Sequence, residues 1–524
     1  MVVAHIQGKV VSVGREKHHI WLVPLICSVL TSLPFVLSLV LEAVRPLPDF
    51  MWFPIGYNPK DFLQYAALIR EAPLFPIFHN PFTTEPHEPR IILLYLWVLG
   101  LFYRATGIEP LLLLEASRFF SVFFFFFALW RFLKSFFSSE EERYVAYLTI
   151  AFSGGIEPVL LLSQGLFEGK LRHLIAQNLW TAYGWNTFEM LHNPMWACGM
   201  GVMLWILHDV VSAQSQSHLK KVLVIFGLSL ILWFIHQYTA IIFYSVVISH
   251  IAWRYASKRE IDFRTLLGLL AQWGLIAIIS LWQLSDTVYA KIAKGFFGAQ
   301  YILPIWYPIT FFALLIFAVR GFSLLDRQRR SFLICYLLCV LALHSNPFIN
   351  GYHFVYGAHI PLCLFATPAL VATLSNVKSL FFRVSLGFLL YSNPILVTLA
   401  NSVDVFEKYA VPSELNQVLA TLKSLPQGNV LCDPILGNFV PALTHHKVYV
   451  GHWFLTPDYP AKSRRYLEAM HGRGIRDLVK TENIAYIVAP LPSLPVLSRE
   501  IQIEKIVVGD IVSLLRASSN APKP

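Results

Sequence analysis

The sequence predicts a polytopic α-helical membrane protein with about eleven transmembrane helices and a small α/β domain at its C-terminal end. Three observations carry this expectation. Of the 524 residues, 56% are hydrophobic and only 14% are charged, whereas a soluble domain is about 25% charged. Mean hydropathy is +0.57, and apolar stretches recur at the length needed to cross about 30 Å of hydrocarbon. From about residue 403 the composition returns to a soluble density, with 13 Lys and Arg and 11 Asp and Glu over 403–524. A soluble enzyme, a disordered chain and a secreted disulfide scaffold are excluded.

Residues 1–18 are polar and carry Lys9, Arg15 and Lys17; Ile20 to Leu41 is then charge-free for 22 residues. The apolar core of a cleavable signal runs only about 7–15 residues, so this stretch is expected to stay as the first span. Further apolar runs lie near 111–133, 144–163, 194–212, 222–236, 238–253, 265–284, 304–319, 331–346, 358–374 and 384–400. A shorter run, 91–107, ends in Tyr103-Arg104.

Basic residues collect on cytoplasmic loops. If the N-terminus is inside and 91–107 does not span, the inside loops carry Arg131, Lys134, Arg143, Lys220, Lys221, Arg254, Lys258, Arg259, Arg264, Arg320, Arg327, Arg329, Arg330, Lys378 and Arg383. If 91–107 spanned, every later loop would flip against the rule. The run is therefore expected to lie at the outer interface, where Tyr95, Trp97, Tyr103 and Arg104 suit it. The net charge of +10 then follows from topology, and nucleic acid is not an expected partner.

The first outer loop is long, about 45–110, and the C-terminal region is outside. Two domains are expected: a transmembrane domain over 1–402 and an extracytoplasmic α/β domain over 403–524. In the latter, SELNQVLATLKSL, PAKSRRYLEAM and IRDLVKTEN read as helices, and NVLCDP, KVYVG and AYIVAP as strands. IEKIVVGDIVSLLRA reads as a hairpin turning at Gly509-Asp510. Five cysteines lie in apolar runs; Cys432, the sixth, is expected to be exposed, and disulfides carry no weight. No Asn-X-Ser/Thr sequon occurs, which leans against a eukaryotic secretory setting.

Asp61 opens a helix-like stretch, DFLQYAALIREA, in the first outer loop. One role is a helix cap. The other is a general base at the membrane surface, which needs a carboxylate beside a bound hydroxyl.

That long loop, its acidic residue at the start of a juxtamembrane helix and the following EPHEPRIILLYLWVLG resemble the GT-C glycosyltransferases. Protein O-mannosyltransferases, lipid A aminoarabinose transferases and oligosaccharyltransferases belong to that superfamily. More closely, the chain resembles bacterial GT-C-like membrane proteins. DFLQYAALIREA, NPFTTEPHEP, NTFEMLHNPMWACGMGVMLWIL, HQYTAIIFY, GAHIPL and GNFVPALTHHKVYVGHWFLTPDYPAK carry the likeness in order, from about 56 to 465. The resemblance implies a GT-C-like fold in the cytoplasmic membrane of a bacterium. It also implies a sugar transferred from a polyprenyl-phosphate donor to a lipid, glycan or protein acceptor on the outer face, and Asp61 as the catalytic acidic residue. The DxD pattern of oligosaccharyltransferases is absent, so no metal is assigned; a divalent ion stays open but is not indicated.

Glu189, in the outer loop 164–193, matches a second superfamily carboxylate by position; the other reading is a solvated loop Glu. Glu85, His87 and Glu88 in TTEPHEP pair carboxylate with imidazole, but the prolines hold the segment extended, which favours a structural loop. His236, His353 and His359 fall at outer span ends. The cations available for a donor phosphate are Arg70, Arg90, Lys170, Arg172, Lys291 and Lys294, each of which has facing lipid headgroups as its other reading, and Arg118. Arg118 stands out because intramembrane charges face the protein interior, although Glu115 three residues earlier offers it an internal pair. GHWFLTPDY offers His452, Trp453, Asp458 and Tyr459 as packing residues or as an acceptor-side cap. The expected activity is inverting glycosyl transfer. The rivals are a lipid-linked-sugar flippase using charges such as Arg118 and Glu157 along a path, and a scaffold without catalysis.

Overall fold

A computed structural model describes residues 16–44, 50–52, 58–154, 187–212, 218–258, 263–296, 311–346, 351–391, 395, 398 and 410–518. Glu157, Lys170 and Arg172 lie outside these residues, as does the polar N-terminal segment before residue 16.

Helices dominate. Each expected apolar run overlaps a helix among the described residues: α1 (Glu16–Val44), α4 (Pro110–Leu133), α5 (Glu140–Phe152), α7 (Pro194–Val211), α8 (His218–Ile235), α9 (Gln237–Lys258), α10 (Phe263–Leu284), α12 (Phe312–Phe322), α13 (Arg327–His344), α14 (His359–Asn376) and α15 (Leu380–Tyr391); the runs 144–163, 304–319 and 384–400 extend outside those residues. Among the described residues, five helices are long and apolar enough to cross a membrane: Ile20–Val44, Pro110–Leu133, Pro194–Val211, Thr265–Leu284 and His353–Asn376. The run 91–107 forms a strand, Ile91–Ile92, and a 13-residue helix, α3 (Leu94–Thr106). At about 1.5 Å rise per residue this helix is too short to cross.

Local chemistry sets the helix starts. Pro59, Pro110 and Pro194 occupy first-turn positions, where the missing N–H has no intrahelical partner to lose. Asn193 caps α7 by accepting from Met195 and Trp196 N–H, and Asp326 caps α13 in the same way. Gly107 ends α3 at φ 70°, a left-handed position that suits glycine. In the membrane core α4 packs on α7, α12 on α14 and α9 on α13. Helix α14 is almost wholly enclosed, whereas α10 turns Leu267, Leu270, Ile278 and Leu281 outward, as a lipid-facing helix does.

The C-terminal region follows the expected order. Its sheet runs β6-β5-β7-β9-β8: β5 (Asn429–Leu431) lies parallel to β6 (Lys447–Val448) and β7 (Ile484–Pro490), and β9 (Val512–Ser518) pairs antiparallel with β7 and β8 (Gln502–Val508). Alternate residues serve opposite cores. Val430, Tyr486, Val488 and Leu514 face one; Leu431, Ile487, Ala489 and Leu515 face the other, beside α18 (Tyr459–Met470), α19 (Ile475–Thr481) and α20 (Leu494–Glu500).

The first of these cores is shared. It joins the sheet, α16 (Ser413–Ser424) and α17 (Leu436–Leu443) to Phe62, Leu63 and Ala66 of α2 (Pro59–Arg70), Leu96 of α3 and Leu114 of α4. Burial of each large apolar side chain stabilises by about 1.5–3 kcal/mol, so α2, α3 and the C-terminal region are fastened by one apolar layer. A short ladder pairs β1 (Phe50–Trp52) with β4 (Ala410–Pro412). Cys432 corrects an expectation: it is fully buried in this layer, where burial pushes its thiol well above the ordinary value.

Candidate functional site

Helix α2 presents Asp61 in its first turn. Asn58, at φ 50°, is the residue before the helix, so Asp61 is not the cap; no side chain caps this end. The Asn58 amide Nδ2 donates to Asp61 Oδ2 at 2.8 Å. The carboxylate is about one-third exposed, and its Oδ1 lies 3.6 Å from His452 Nε2. One turn on, Tyr65 accepts from Asn193 Nδ2 at 3.1 Å. Burial first, and then the Asp61 charge, push the Tyr65 phenol above its ordinary value.

Imidazoles and aromatic rings gather beside this carboxylate. Trp196 lies 4.0 Å from the His236 ring, 4.5 Å from Tyr356 and 5.9 Å from His353, and His353 is within electrostatic range of Asp61. His236 sits at the break between α8 and α9, where its Nδ1 accepts from the Thr239 N–H at 3.3 Å. His359 lies apart, held by Ser153 and Thr187.

His452 comes from the C-terminal region, in the loop after β6. Thr456 pins that loop: its Oγ1 accepts from Gly451 N–H and donates to the Phe82 carbonyl, both at 3.1 Å, and its N–H donates to the His452 carbonyl at 2.9 Å. A Cβ on Gly451 would come within 2.5 Å of the Gly437 carbonyl, so this close approach needs glycine. Trp453, next in sequence, is half exposed and lies 6.1 Å from the His452 ring.

Glu85 binds two cations. Its Oε1 meets Lys462 at 2.7 Å and its Oε2 meets Lys291 at 3.1 Å; Lys291 also reaches Asp458 at 3.4 Å. Burial opposes ionisation of Glu85, but both lysines outweigh it and hold the carboxyl below its ordinary value. His87 is fixed as a neutral tautomer: Nε2 accepts from the Asn80 N–H at 2.9 Å and Nδ1 donates to the Glu85 carbonyl at 2.8 Å. Burial keeps it below the ordinary histidine value. With both nitrogens occupied, His87 organises the loop and has no lone pair to offer a metal.

The expected phosphate cations differ in setting. Each nitrogen of Arg70 is engaged: Nε donates to the Ala442 carbonyl at 2.9 Å, Nη1 to Tyr103 at 3.0 Å and Nη2 to Glu109 at 2.5 Å. Its side chain is 1% exposed and ties these segments together. Arg90 stacks on Trp282 at 4.3 Å. Lys294, on α11 (Thr287–Phe296), is exposed. Arg118 is fully buried and pairs with Glu115 through Nη2, while its Nε and Nη1 have no hydrogen-bond partner among the described residues. Its guanidinium lies 6.0 Å from the Phe62 ring, the residue after Asp61. Glu189 belongs to a one-turn helix, Thr187–Met190, and its side chain lies outside the described residues.

The structure thus joins Asp61 to the loop that carries Trp453, and Glu85 to Lys291; it sets Arg70 apart. The Asp61–His452 contact was not legible in the sequence, because GHWFLTPDY marks an aromatic loop without naming its partner 391 residues earlier. No protein-family model matches the chain, and no curated protein does. Among solved structures the chain is similar to ArnT from Cupriavidus metallidurans in the apo state. The identity is 10%, the TM-score 0.51, and the match covers 94% of this chain and 98% of that one. At that identity the likeness is one of fold: the chain has an ArnT-like, polytopic helical architecture.

Proposed function

We propose that the protein is a GT-C-type glycosyltransferase that moves a sugar from a polyprenyl-phosphate donor to an acceptor hydroxyl, with Asp61 as general base. The observation that carries this reading is the state of Asp61. Its carboxylate caps no backbone, is partly open to solvent and retains acceptor capacity beyond the single amide of Asn58. A carboxylate with spare lone pairs beside a bound hydroxyl is what a base requires. The ArnT-like fold supports the class.

Asp61 takes the acceptor proton as the acceptor oxygen attacks the anomeric carbon. The bond from that carbon to the phosphate oxygen breaks, its electron pair leaves with the phosphate, and the configuration inverts. The leaving polyprenyl phosphate needs positive charge in a partly dehydrated site. Arg118 is the buried cation with unused N–H groups behind Phe62, and displacement of that ring would open it to the donor. The exposed Lys294 and the stacked Arg90 suit attraction of anionic headgroups. Trp453, next to His452 in sequence, is half exposed and offers a face to an incoming sugar.

In this reading the chain sits in the cytoplasmic membrane of a bacterium with its N-terminus inside and residues 403–524 outside. Glu85 and His87 act on the site through the loop they hold. The test is turnover by the full chain in lipid with a panel of labelled polyprenyl-phosphate sugars, wild type beside Asp61→Asn. Sugar release from one donor by the wild type alone supports the reading; absence of release from every donor removes it.

A further inference from the structure

We propose that His452 is a positioning residue for Asp61: its Nε2–H donates to Asp61 Oδ1 and fixes the carboxylate rotamer, so the C-terminal region completes the catalytic centre. This rests on the reading of Asp61 as base and extends it to a residue from the other end of the chain.

Three observations support the assignment. His452 is 1% exposed, yet neither ring nitrogen has a hydrogen-bond partner among the described residues. A buried imidazole in that state costs free energy comparable to an unmade hydrogen bond. Its Nε2 lies 3.6 Å from Asp61 Oδ1, whose carboxylate is about one-third exposed. Catalytic hydrogen bonds are often this long before substrate binds.

The surroundings hold the ring rather than consume it. The loop is pinned by Thr456 to the Phe82 carbonyl, and the Phe82 ring lies 5.8 Å from the imidazole. The Gly451–Gly437 approach brings the loop backbone down onto α17. On the other side, Asn58 Nδ2 holds Asp61 Oδ2. The carboxylate is therefore flanked by one N–H donor from the residue that precedes its helix and one from the C-terminal region. That clamp keeps one lone pair aimed outward, toward the hydroxyl, and a base held in a single orientation loses less to misalignment.

The experiment uses the full chain in lipid nanodiscs and has two arms. The first reads the pairing without turnover. In a ¹⁵N-histidine-labelled sample, the ring signals of His452 are identified by their loss in His452→Gln, then followed in Asp61→Asn. The pairing predicts that they move; unchanged signals overturn it. The second arm reads turnover. His452→Leu is expected to lower kcat about 100-fold, the low end of what a positioned base contributes, with donor KM unchanged. His452→Gln, which keeps an N–H donor, should recover part of the loss. On an Asp61→Asn background His452→Leu should cost nothing more. Equal losses in Leu and Gln, or a full additive loss in the double variant, overturn the assignment. Moved signals in a protein that turns over no donor would instead remove the glycosyl-transfer reading and leave His452 paired with Asp61.

Discussion

Arg70 and Glu109 meet at 2.5 Å, while the same guanidinium donates through Nε to the Ala442 carbonyl at 2.9 Å. One buried side chain thereby links the end of α2, the start of α4 and α17 of the C-terminal region. Removing it leaves a buried carbonyl and the Tyr103 hydroxyl without their donor. Arg70→Met is expected to destabilise the protein by about 2–4 kcal/mol, read as a lowered thermal midpoint in lipid. Arg70→Lys should recover only a fraction, because an ammonium cannot reproduce the planar fork.

His87 makes the loop sensitive to acid. Burial lowers its folded-state value below the ordinary histidine value of 6.5, so the unfolded chain binds more protons between the two values. The stabilisation is complete above the unfolded value and is lost as pH falls through the folded one. Protonating Nε2 also evicts the Asn80 N–H. Hydrogen exchange of residues 79–90 should rise as pH drops from 7.5 to 5, and His87→Gln should flatten that response.

Gly437 tests how tightly the His452 loop is seated. A Cβ there would run into the Val450 carbonyl and the Gly451 backbone. Overpacking of this kind costs about 1–3 kcal/mol, met by lifting residues 450–452. Gly437→Ala is expected to fold and to bind donor, but to turn over more slowly. Unchanged turnover would mean that the loop has no bearing on Asp61.

Arg118 requires a paired substitution. Deleting one partner of a buried ion pair costs about 3–5 kcal/mol, whereas replacing both with apolar residues is often neutral. The double variant Glu115→Leu with Arg118→Met should therefore keep its thermal midpoint. Its donor affinity should fall about tenfold or more, measured with a polyprenyl phosphate in nanodiscs. An unaltered affinity would mark the pair as purely structural.

Patterns of short range were legible in the sequence. The apolar runs located the helices, and the alternation in AYIVAP and IEKIVVGDIVSLLRA located β7 and the β8–β9 hairpin. Gly437 and Pro441 are poor helix formers, yet α17 forms over Leu436–Leu443 with Val440 and Ala442 buried in the shared core. Arg70 read as a free outer cation, since nothing local hints that Ala442 waits 372 residues on. Asp61 was legible as a candidate by position, but its partner was not. His452 lies in a loop whose only local signals are glycine and aromatics, and the contact arises from docking of the two regions.

The central claim is that Asp61 is the base of a polyprenyl-phosphate-dependent sugar transfer. Its most direct test is single-turnover sugar release by the full chain in lipid, wild type against Asp61→Asn, with donor binding measured on the same samples. The account predicts that Asp61→Asn binds donor as the wild type does and loses about 10²- to 10⁴-fold in rate. An Asp61→Asn variant that transfers sugar at the wild-type rate would contradict it.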